Sequence, residues 1–306
     1  MIVKREKVLT QGLLPKERAF EIDLLRGIPI IVVVLYHICF TFSAFPSIFS
    51  NYYQVIKNYP FLDSLYSFVI SILTNSFLHT YLVPFFGGLF LFVCGISTTF
   101  SHNNVKRAGL IGLASFIISL VTLVATYVVG QNLFIFFGIL HVMSLTIFLY
   151  VLLNYLCKRI FEKELSVISL FLITIILAFV SLILITGYFP PLHFFPTWPT
   201  KVIHTYPIDR LISQPWTYPL EIVGYVRGLE DSWGLLPYAT IIFFGIAVGK
   251  LLYGKQKTTR IPKLKNFFLF RPFCFIGRHT LVIYLLHQPI FLLLFISLFL
   301  ILGFRL

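Results

Sequence analysis

The sequence predicts an all-α protein, a polytopic integral membrane bundle of helices. Of its 306 residues, 58% are hydrophobic and 11% are charged, and the mean hydropathy is +0.92. A soluble domain carries about 25% charged residues, so this chain has too few polar side chains to cover a globule. Several apolar runs also reach the ~20 residues that a helix needs to cross the bilayer. We therefore expect lipid to surround most of the folded chain.

Seven apolar runs are long enough to be transmembrane helices, and an eighth is ambiguous. The predicted spans are residues 22–45, 80–100, 108–129, 133–156, 165–188, 233–252 and 279–303. The eighth run, 60–78, contains Asp63 and several hydroxyl side chains. We expect this segment to be a re-entrant or interfacial helix rather than a span.

Basic residues lie in short segments between the apolar runs. They form four clusters, in the arm 1–20 and at residues 106–107, 158–163 and 250–278. If 60–78 does not cross the membrane, all four clusters fall on one side, as the positive-inside rule favours for the cytoplasm. This topology predicts a multi-pass cell-membrane protein with a cytoplasmic N-terminus, an extracytoplasmic C-terminus and a long extracytoplasmic loop at 189–232. The net charge of +13 then reflects topology, and no nucleic-acid partner is expected.

The sequence shows no internal repeat and no low-complexity linker, so we expect residues 1–306 to form a single domain. Its four cysteines are far apart and lack metal-ligand spacing. Neither a metal site nor a disulfide framework is therefore predicted.

Three polar residues, Asp23, Arg26 and His37, interrupt the first apolar run, "IDLLRGIPIIVVVLYH" (22–37). Arg26 and His37 are eleven positions apart, which brings them to the same face of a helix about 16 Å from each other. Asp23 lies one turn before Arg26, within reach of an ion pair. Arg26 could simply extend to the membrane interface with Asp23 as its partner. An ionisable group such as His37 inside a span more often faces a cavity or a substrate path.

Other polar residues also stand in or beside apolar runs. His141 lies in the fourth predicted span, at a depth where it could line one cavity with His37, or be satisfied by a neighbouring carbonyl. His287 and Gln288 precede Pro289 in the last span, where they could form part of a site or satisfy the carbonyl that proline leaves unbonded. Asp231 begins "DSWGLLPY" and could be a helix N-cap or an acceptor-binding carboxylate.

Five motifs in order resemble the catalytic-domain family of the heparan-alpha-glucosaminide N-acetyltransferases. The opening stretch at 21–37 is followed by "FLFVCGIST" (90–98), "FFGILHVMSL" (136–145), "DSWGLLPY" (231–238) and "FIGRHTLVIYLLHQPI" (275–290). The spacing of Arg26 and His37 is also similar to a pattern of the broader acyltransferase-3 superfamily. One departure is "ICFTF" after His37, where relatives often have an aspartate, and Thr41 is the candidate that replaces it as a partner.

The resemblance implies a membrane-bound O- or N-acetyltransferase that uses acetyl-CoA as co-substrate and a glycan or glycolipid acceptor on the extracytoplasmic side. It implies catalytic roles for His37 and His141, and donor binding by Asp23, Arg26 and Arg278. His287, Gln288 and Asp231 are second-tier site residues. His37 would act either as a general base or as a transient acyl carrier.

Two alternatives from other classes remain at this point. A transporter or flippase of a small or lipid-linked substrate would also bury charged groups in the membrane, although many such proteins contain repeats. A non-catalytic scaffold would not explain a polar stripe along one helix. The acceptor and the oligomeric state stay open, a homodimer being one alternative.

Overall fold

The computed structural model describes residues 19–130, 132–186, 205–225, 232–255, 257–264 and 267–306. These parts of the chain are helical, and they contain no strand. The principal helices are α1 (Phe20–Ser43), α2 (Pro60–Thr74), α3 (Val83–Ser97), α4 (Asn104–Val129), α5 (Ile139–Phe161), α6 (Val167–Thr186), α7 (Pro207–Ser213), α8 (Thr217–Val223), α9 (Leu235–Tyr253), α10 (Phe270–Arg278) and α11 (Thr280–Ile301). The predicted arm up to residue 18, Asp231 and much of the predicted loop 189–232 lie outside the described residues.

Six helices in the described ranges are long and apolar enough to cross a membrane, against seven predicted. They contain α1, α3, α4, α5, α9 and α11, and they lie at Phe20–Ile48, Thr80–Ser97, Asn104–Val128, Ile139–Phe161, Leu235–Tyr253 and Thr280–Ile301. The predicted span at 165–188 is the helix α6. This helix has 20 residues, Val167–Thr186, and its described apolar segment, Val167–Ile183, is one residue shorter than the shortest of the six, so six spans stand against the seven predicted.

The ambiguous run forms a helix that is too short to count as a span. This helix, α2, has 15 residues and packs its buried Val69 into an aromatic cluster. The centre of that cluster is formed by Phe42 in the last turn of α1, Phe45 just beyond its end, and Phe299 of α11. The helix α2 therefore covers the half of the bundle in which α1 and α11 end.

The predicted start of the fourth span at residue 133 was wrong, because the helix begins at Ile139. Residues 132–138 are not helical, and hydroxyl groups on one face of α4 satisfy part of their backbone. Thr126 Oγ1 accepts from the Leu133 N–H at 3.0 Å, and Thr122 Oγ1 accepts from the Ile135 N–H at 3.1 Å. Ser119 Oγ donates to the Ile135 carbonyl at 2.7 Å. Irregular backbone at membrane depth needs such partners, since lipid supplies none.

Three of the four basic clusters meet at one end of the bundle, which we call the basic end. It comprises the start of α1 and the connections 98–103, 162–166 and 254–279. The rings of Phe100 and Tyr253 are 4.9 Å apart there, and the Tyr253 hydroxyl donates to Glu21 at 2.9 Å. Lys250 Nζ donates to the Leu165 carbonyl at 2.5 Å. The described connections between the spans thus place their basic residues together, as the predicted topology requires.

The opposite end, which we call the far end, comprises residues 44–59, 130–138, 205–225 and 302–305. The Asn51 side chain donates to the Gly303 carbonyl at 3.0 Å and accepts from the Arg305 N–H at 2.7 Å. The Tyr206 hydroxyl donates to the Gly130 carbonyl at 2.6 Å. Residues 19–21 and 303–305 therefore lie at opposite ends of the bundle.

Candidate active site

Two histidines from different helices meet inside the bundle. His37 on α1 and His287 on α11 have their Nδ1 and Nε2 atoms 2.7 Å apart. The ring planes differ by 13° and the ring centroids are 4.9 Å apart, a separation about equal to one hydrogen bond plus two ring radii. The rings are therefore nearly coplanar and meet edge to edge, as a straight N–H···N bond requires.

The hydrogen-bond network assigns the protons of this pair. His287 Nδ1 is 2.7 Å from the Tyr284 carbonyl oxygen, which can only accept, so this nitrogen carries a proton. In the neutral ring, Nε2 of His287 is then an acceptor for the Nδ1–H of His37. The lone pair of His37 consequently resides on Nε2. This is the tautomer in which Nε2 can accept a proton or attack a carbonyl carbon.

The partner of His37 was not predicted correctly from the sequence. We weighed Thr41, four residues away, whereas the structure supplies His287, which is 250 residues away in the chain. His287 is buried, with 7% of its surface exposed, so its ring is desolvated as well as hydrogen-bonded. The side chain of Gln288, the other predicted residue of this motif, forms no hydrogen bond with any described residue.

The predicted donor-binding residues converge at the basic end. Asp23 Oδ2 accepts from Arg278 Nε at 3.1 Å, and Asp23 Oδ1 is 3.6 Å from an Arg26 nitrogen. The Asp23 side chain is 4% exposed and that of Arg278 is 48% exposed. One buried carboxylate therefore holds two guanidinium groups at the edge of the bundle, with a net positive charge.

Close contact between α1 and α10 sets this geometry. A methyl group built on Gly277 would collide with the Asp23 carbonyl, and one on Gly27 would collide with the Phe273 carbonyl. Only hydrogen fits at either position. The glycines thus bring Arg278, the last residue of α10, next to Asp23 in the first turn of α1.

Sequence reasoning missed a third arginine at the same end. Arg107 donates to the Cys94 carbonyl at 3.3 Å and lies 3.5 Å from the Cys94 sulphur. Both Arg107 and Arg26 are close enough to act electrostatically on that thiol. Arg107 Nη1 is buried and has no hydrogen-bond partner among the described residues. Its position in the basic pair 106–107 indicated only topology in the sequence.

His141 is in the first turn of α5, not well inside a span as the predicted start at 133 implied. Its Nδ1 accepts from the Gly138 N–H at 3.1 Å, and its Nε2 lies 3.2 Å from Ser119 Oγ. Since Nδ1 accepts, Nε2 carries the proton of the neutral ring and donates to Ser119. Both nitrogens therefore support the chain around the helix start.

A small cavity lies beside His141 and extends to Tyr284. Its volume is about 10 Å³, roughly the space of a single water molecule. Its lining includes Ser115, Ile135, Gly138, His141 and Tyr284. Tyr284 also provides the carbonyl that holds His287, and the two rings are 5.6 Å apart. His141 and His37 are thus related only through Tyr284 and His287.

A buried ion pair joins two short helices at the far end of the bundle. Arg210 on α7 and Glu221 on α8 are 2.6 Å apart, with side-chain exposures of 5% and 1%. Arg210 also donates to Thr217 at 2.8 Å and lies over the Tyr218 ring at 4.1 Å. Burial raises the pKa of the Tyr218 hydroxyl, although the adjacent guanidinium opposes the shift. Sequence reasoning did not identify this cluster, because its residues lie in two helices of seven residues within a predicted loop.

Comparison with known proteins identifies the family. The model of the catalytic family of heparan-alpha-glucosaminide N-acetyltransferase matches residues 59–289, about three quarters of the 306 residues. No curated protein and no solved structure matches the chain significantly. The opening motif at 21–37 lies outside the matched range. In the structure, however, Asp23 pairs with Arg278 and His37 with His287, and both of these partners lie within the matched range. The chain belongs to the heparan-alpha-glucosaminide N-acetyltransferase catalytic family, a family of membrane acetyltransferases.

Proposed function

We propose that the protein transfers an acetyl group from acetyl-CoA at the basic end to a sugar amine or hydroxyl that approaches from the far end. The observation that carries this proposal is the hydrogen bond of 2.7 Å between His37 and His287 in the interior of an acetyltransferase-family bundle. The basic end would be cytoplasmic, as the positive-inside rule favours. The acceptor would be a glycan or glycolipid on the extracytoplasmic side.

The basic end suits the phosphate groups of coenzyme A. Arg26, Arg107 and Arg278 together outnumber the carboxylates of Asp23 and Glu21. Guanidinium groups bind phosphate through paired hydrogen bonds. Arg26 lies about 16 Å along α1 from His37, a distance that the long pantetheine arm would bridge. The phosphates would stay at the membrane edge while the thioester reaches the histidine pair.

His37 would act as the base in direct transfer. Its Nε2 would take a proton from the acceptor as the nitrogen or oxygen attacks the thioester carbon, and would then return it to the leaving thiolate of coenzyme A. His287 would keep the Nδ1–H of His37 in place and help to stabilise the transient imidazolium charge. A group that orients the catalytic base has the same role in other enzymes.

The same pair could alternatively carry the acetyl group. Nε2 of His37 would bond to the carbonyl carbon as the carbon–sulphur bond breaks, and the thiolate would leave with the bonding electron pair. The Nδ1 proton of His37 would pass to Nε2 of His287, leaving a neutral acetylimidazole beside a protonated His287. Attack by the acceptor would release the product, its proton would pass to the thiolate, and His287 would return its proton to His37.

We assign His141 a positioning role within this scheme. Its two ring nitrogens already serve Gly138 and Ser119, which favours support of the cavity wall over the first proton transfer. Gln288 and Asp231 stay second-tier predictions.

Turnover of acetyl-CoA by the purified chain in lipid nanodiscs tests the proposal. Coenzyme A release would be followed with a thiol reagent, with glucosamine as the probe acceptor. We expect His37→Ala to lower turnover about 10²-fold or more, as loss of a general base does. His102→Ala removes an exposed histidine from a loop at the basic end and should leave the rate unchanged. Equal rates for wild type and His37→Ala would refute the assignment.

A further inference from the structure

The connection between α9 and α11 has an extreme charge composition. Residues 254–279 contain seven lysines and arginines and no aspartate or glutamate. The basic residues are Lys255, Lys257, Arg260, Lys263, Lys265, Arg271 and Arg278. Arg278 pairs with Asp23, whereas Lys255, Lys257 and Arg271 are exposed and form no ion pair with any described residue. This surface therefore carries positive charge that the described protein does not neutralise.

Large apolar side chains are exposed between these charges. Phe268, in the turn before α10, is 68% exposed, and Phe275 on α10 is 62% exposed. The exposed Arg271 lies between them in the chain. The opposite side of α10 is buried, with Cys274 and Gly277 against α1. The segment thus presents a strip of aromatic rings and cations away from the protein. Such a strip is typical of helices that lie in a membrane interface.

The fold sets the depth of this strip. The helix α9 ends at Tyr253 and α11 begins at Thr280, so the chain leaves and re-enters the bundle at the basic end. Within that interval, α10 packs against the first two turns of α1, around Asp23 and Gly27. Phe275, which lies within this packed stretch, is therefore at the level where α1 begins. Rings exposed at that level face the boundary between acyl chains and headgroups.

We propose that the described residues of this connection, 254–255, 257–264 and 267–279, form a binding surface for the headgroups of anionic phospholipids. The exposed rings would enter the boundary of the acyl chains, while Lys255, Lys257 and Arg271 contact the headgroup phosphates. Each basic residue near an anionic bilayer adds to the attraction. The segment itself contains no acidic residue, and Glu21, whose carboxylate accepts from Thr259 and from the Arg260 N–H, is buried. The proposal does not depend on the chemistry at His37.

Native mass spectrometry of the full chain, extracted from vesicles of equal parts phosphatidylcholine and phosphatidylglycerol, tests this surface. The wild type should retain mainly phosphatidylglycerol. The triple variant Lys255→Gln, Lys257→Gln, Arg271→Gln should retain about 10²-fold less, as expected for the loss of three cations near a headgroup. The control triple Lys106→Gln, Lys158→Gln, Lys163→Gln removes three other exposed cations from the same end and should retain as much as the wild type.

A variant that keeps every charge separates this surface from simple charge attraction. Phe268→Ser should lower phosphatidylglycerol retention several-fold, because an exposed ring no longer anchors the segment. Equal retention of the two lipids by the wild type would overturn the proposal. So would an equal loss in the control triple, or unchanged retention in Phe268→Ser. Thermal unfolding in detergent would establish that each variant is folded, and an unfolded triple would be replaced by its single variants.

Discussion

His37 and His287 are 250 residues apart in the chain, and their ring nitrogens are 2.7 Å apart in the folded protein. The contact joins the first transmembrane helix to the last one, and the Tyr284 carbonyl fixes the direction of the hydrogen bonds along it. A change at His287 should therefore act on catalysis through the tautomer and orientation of His37.

Replacement of His287 should separate orientation from chemistry. We expect His287→Ala to lower kcat about 10²-fold, within the range for loss of acid–base assistance, with little change in KM for acetyl-CoA. His287→Asn should recover part of the rate, since the amide oxygen can accept the Nδ1–H of His37. Steady-state kinetics on both variants would check this. Similar rates for the alanine and asparagine variants would argue against the hydrogen bond as the cause.

The arginines of the basic end should affect the binding of the donor's phosphates and not the binding of its thioester portion. We expect Arg26→Ala and Arg278→Ala to raise KM for acetyl-CoA about 10-fold each, since a charge-assisted hydrogen bond contributes about 1.5–3 kcal/mol. Acetyl-pantetheine, which has no nucleotide phosphates, is the matched substrate. Its KM should be the same for the variants and the wild type. A parallel rise in KM for both donors would place these arginines elsewhere in the mechanism.

Close contact between two helices should make Gly277 intolerant of a methyl group. Gly277→Ala would force α10 away from the Asp23 carbonyl, and we expect a loss of about 1–3 kcal/mol, as for other overpacked contacts. Gly109→Ala on α4 meets no atom within 4 Å and should be neutral or stabilise the chain by up to about 1 kcal/mol. Thermal unfolding in detergent would compare them. Equal Tm values would contradict the contact.

The hydroxyl groups of α4 should be needed for the irregular segment before α5. Thr122→Val keeps the side-chain shape but leaves the Ile135 N–H without this acceptor, which should cost about 1–3 kcal/mol. Thr174→Val is the control, because its buried hydroxyl donates to the Leu170 carbonyl within its own helix. We expect that change to cost less than about 1 kcal/mol. Unfolding in detergent would measure both, and equal losses would argue against the bond to Ile135.

The buried ion pair of the far end should be more sensitive to the loss of one partner than to the loss of both. Arg210→Met would leave the Glu221 carboxylate buried without its cation, at a cost of about 3–5 kcal/mol. The double variant Arg210→Met, Glu221→Leu should recover most of that loss, because no buried charge remains. Limited proteolysis within residues 205–225 would measure the difference in stability between the single and the double variant. A double variant as labile as the single one would contradict this account.

Much of the fold could be predicted from the sequence, because apolar length and loop charge are local properties. The α1 stripe placed Asp23, Arg26 and His37 correctly along one helix, and the basic connections do converge. Helix partners could not be predicted, since the pairing of His37 with His287 depends on packing between distant segments. The start of α5 was predicted wrongly for another reason. Residues 133–137 are as apolar as a helix in lipid, and only the spacing of Ser119, Thr122 and Thr126 on the preceding helix indicated a different backbone.

The irregular segment before α5 has a consequence for the order in which the bundle assembles. A transmembrane helix satisfies its own backbone and can enter the bilayer alone. Residues 133–135 instead depend on side chains supplied by α4, so their conformation can form only after α4 and α5 have associated. We therefore expect the pocket beside His141 to be a late product of biogenesis, absent from a half-assembled chain.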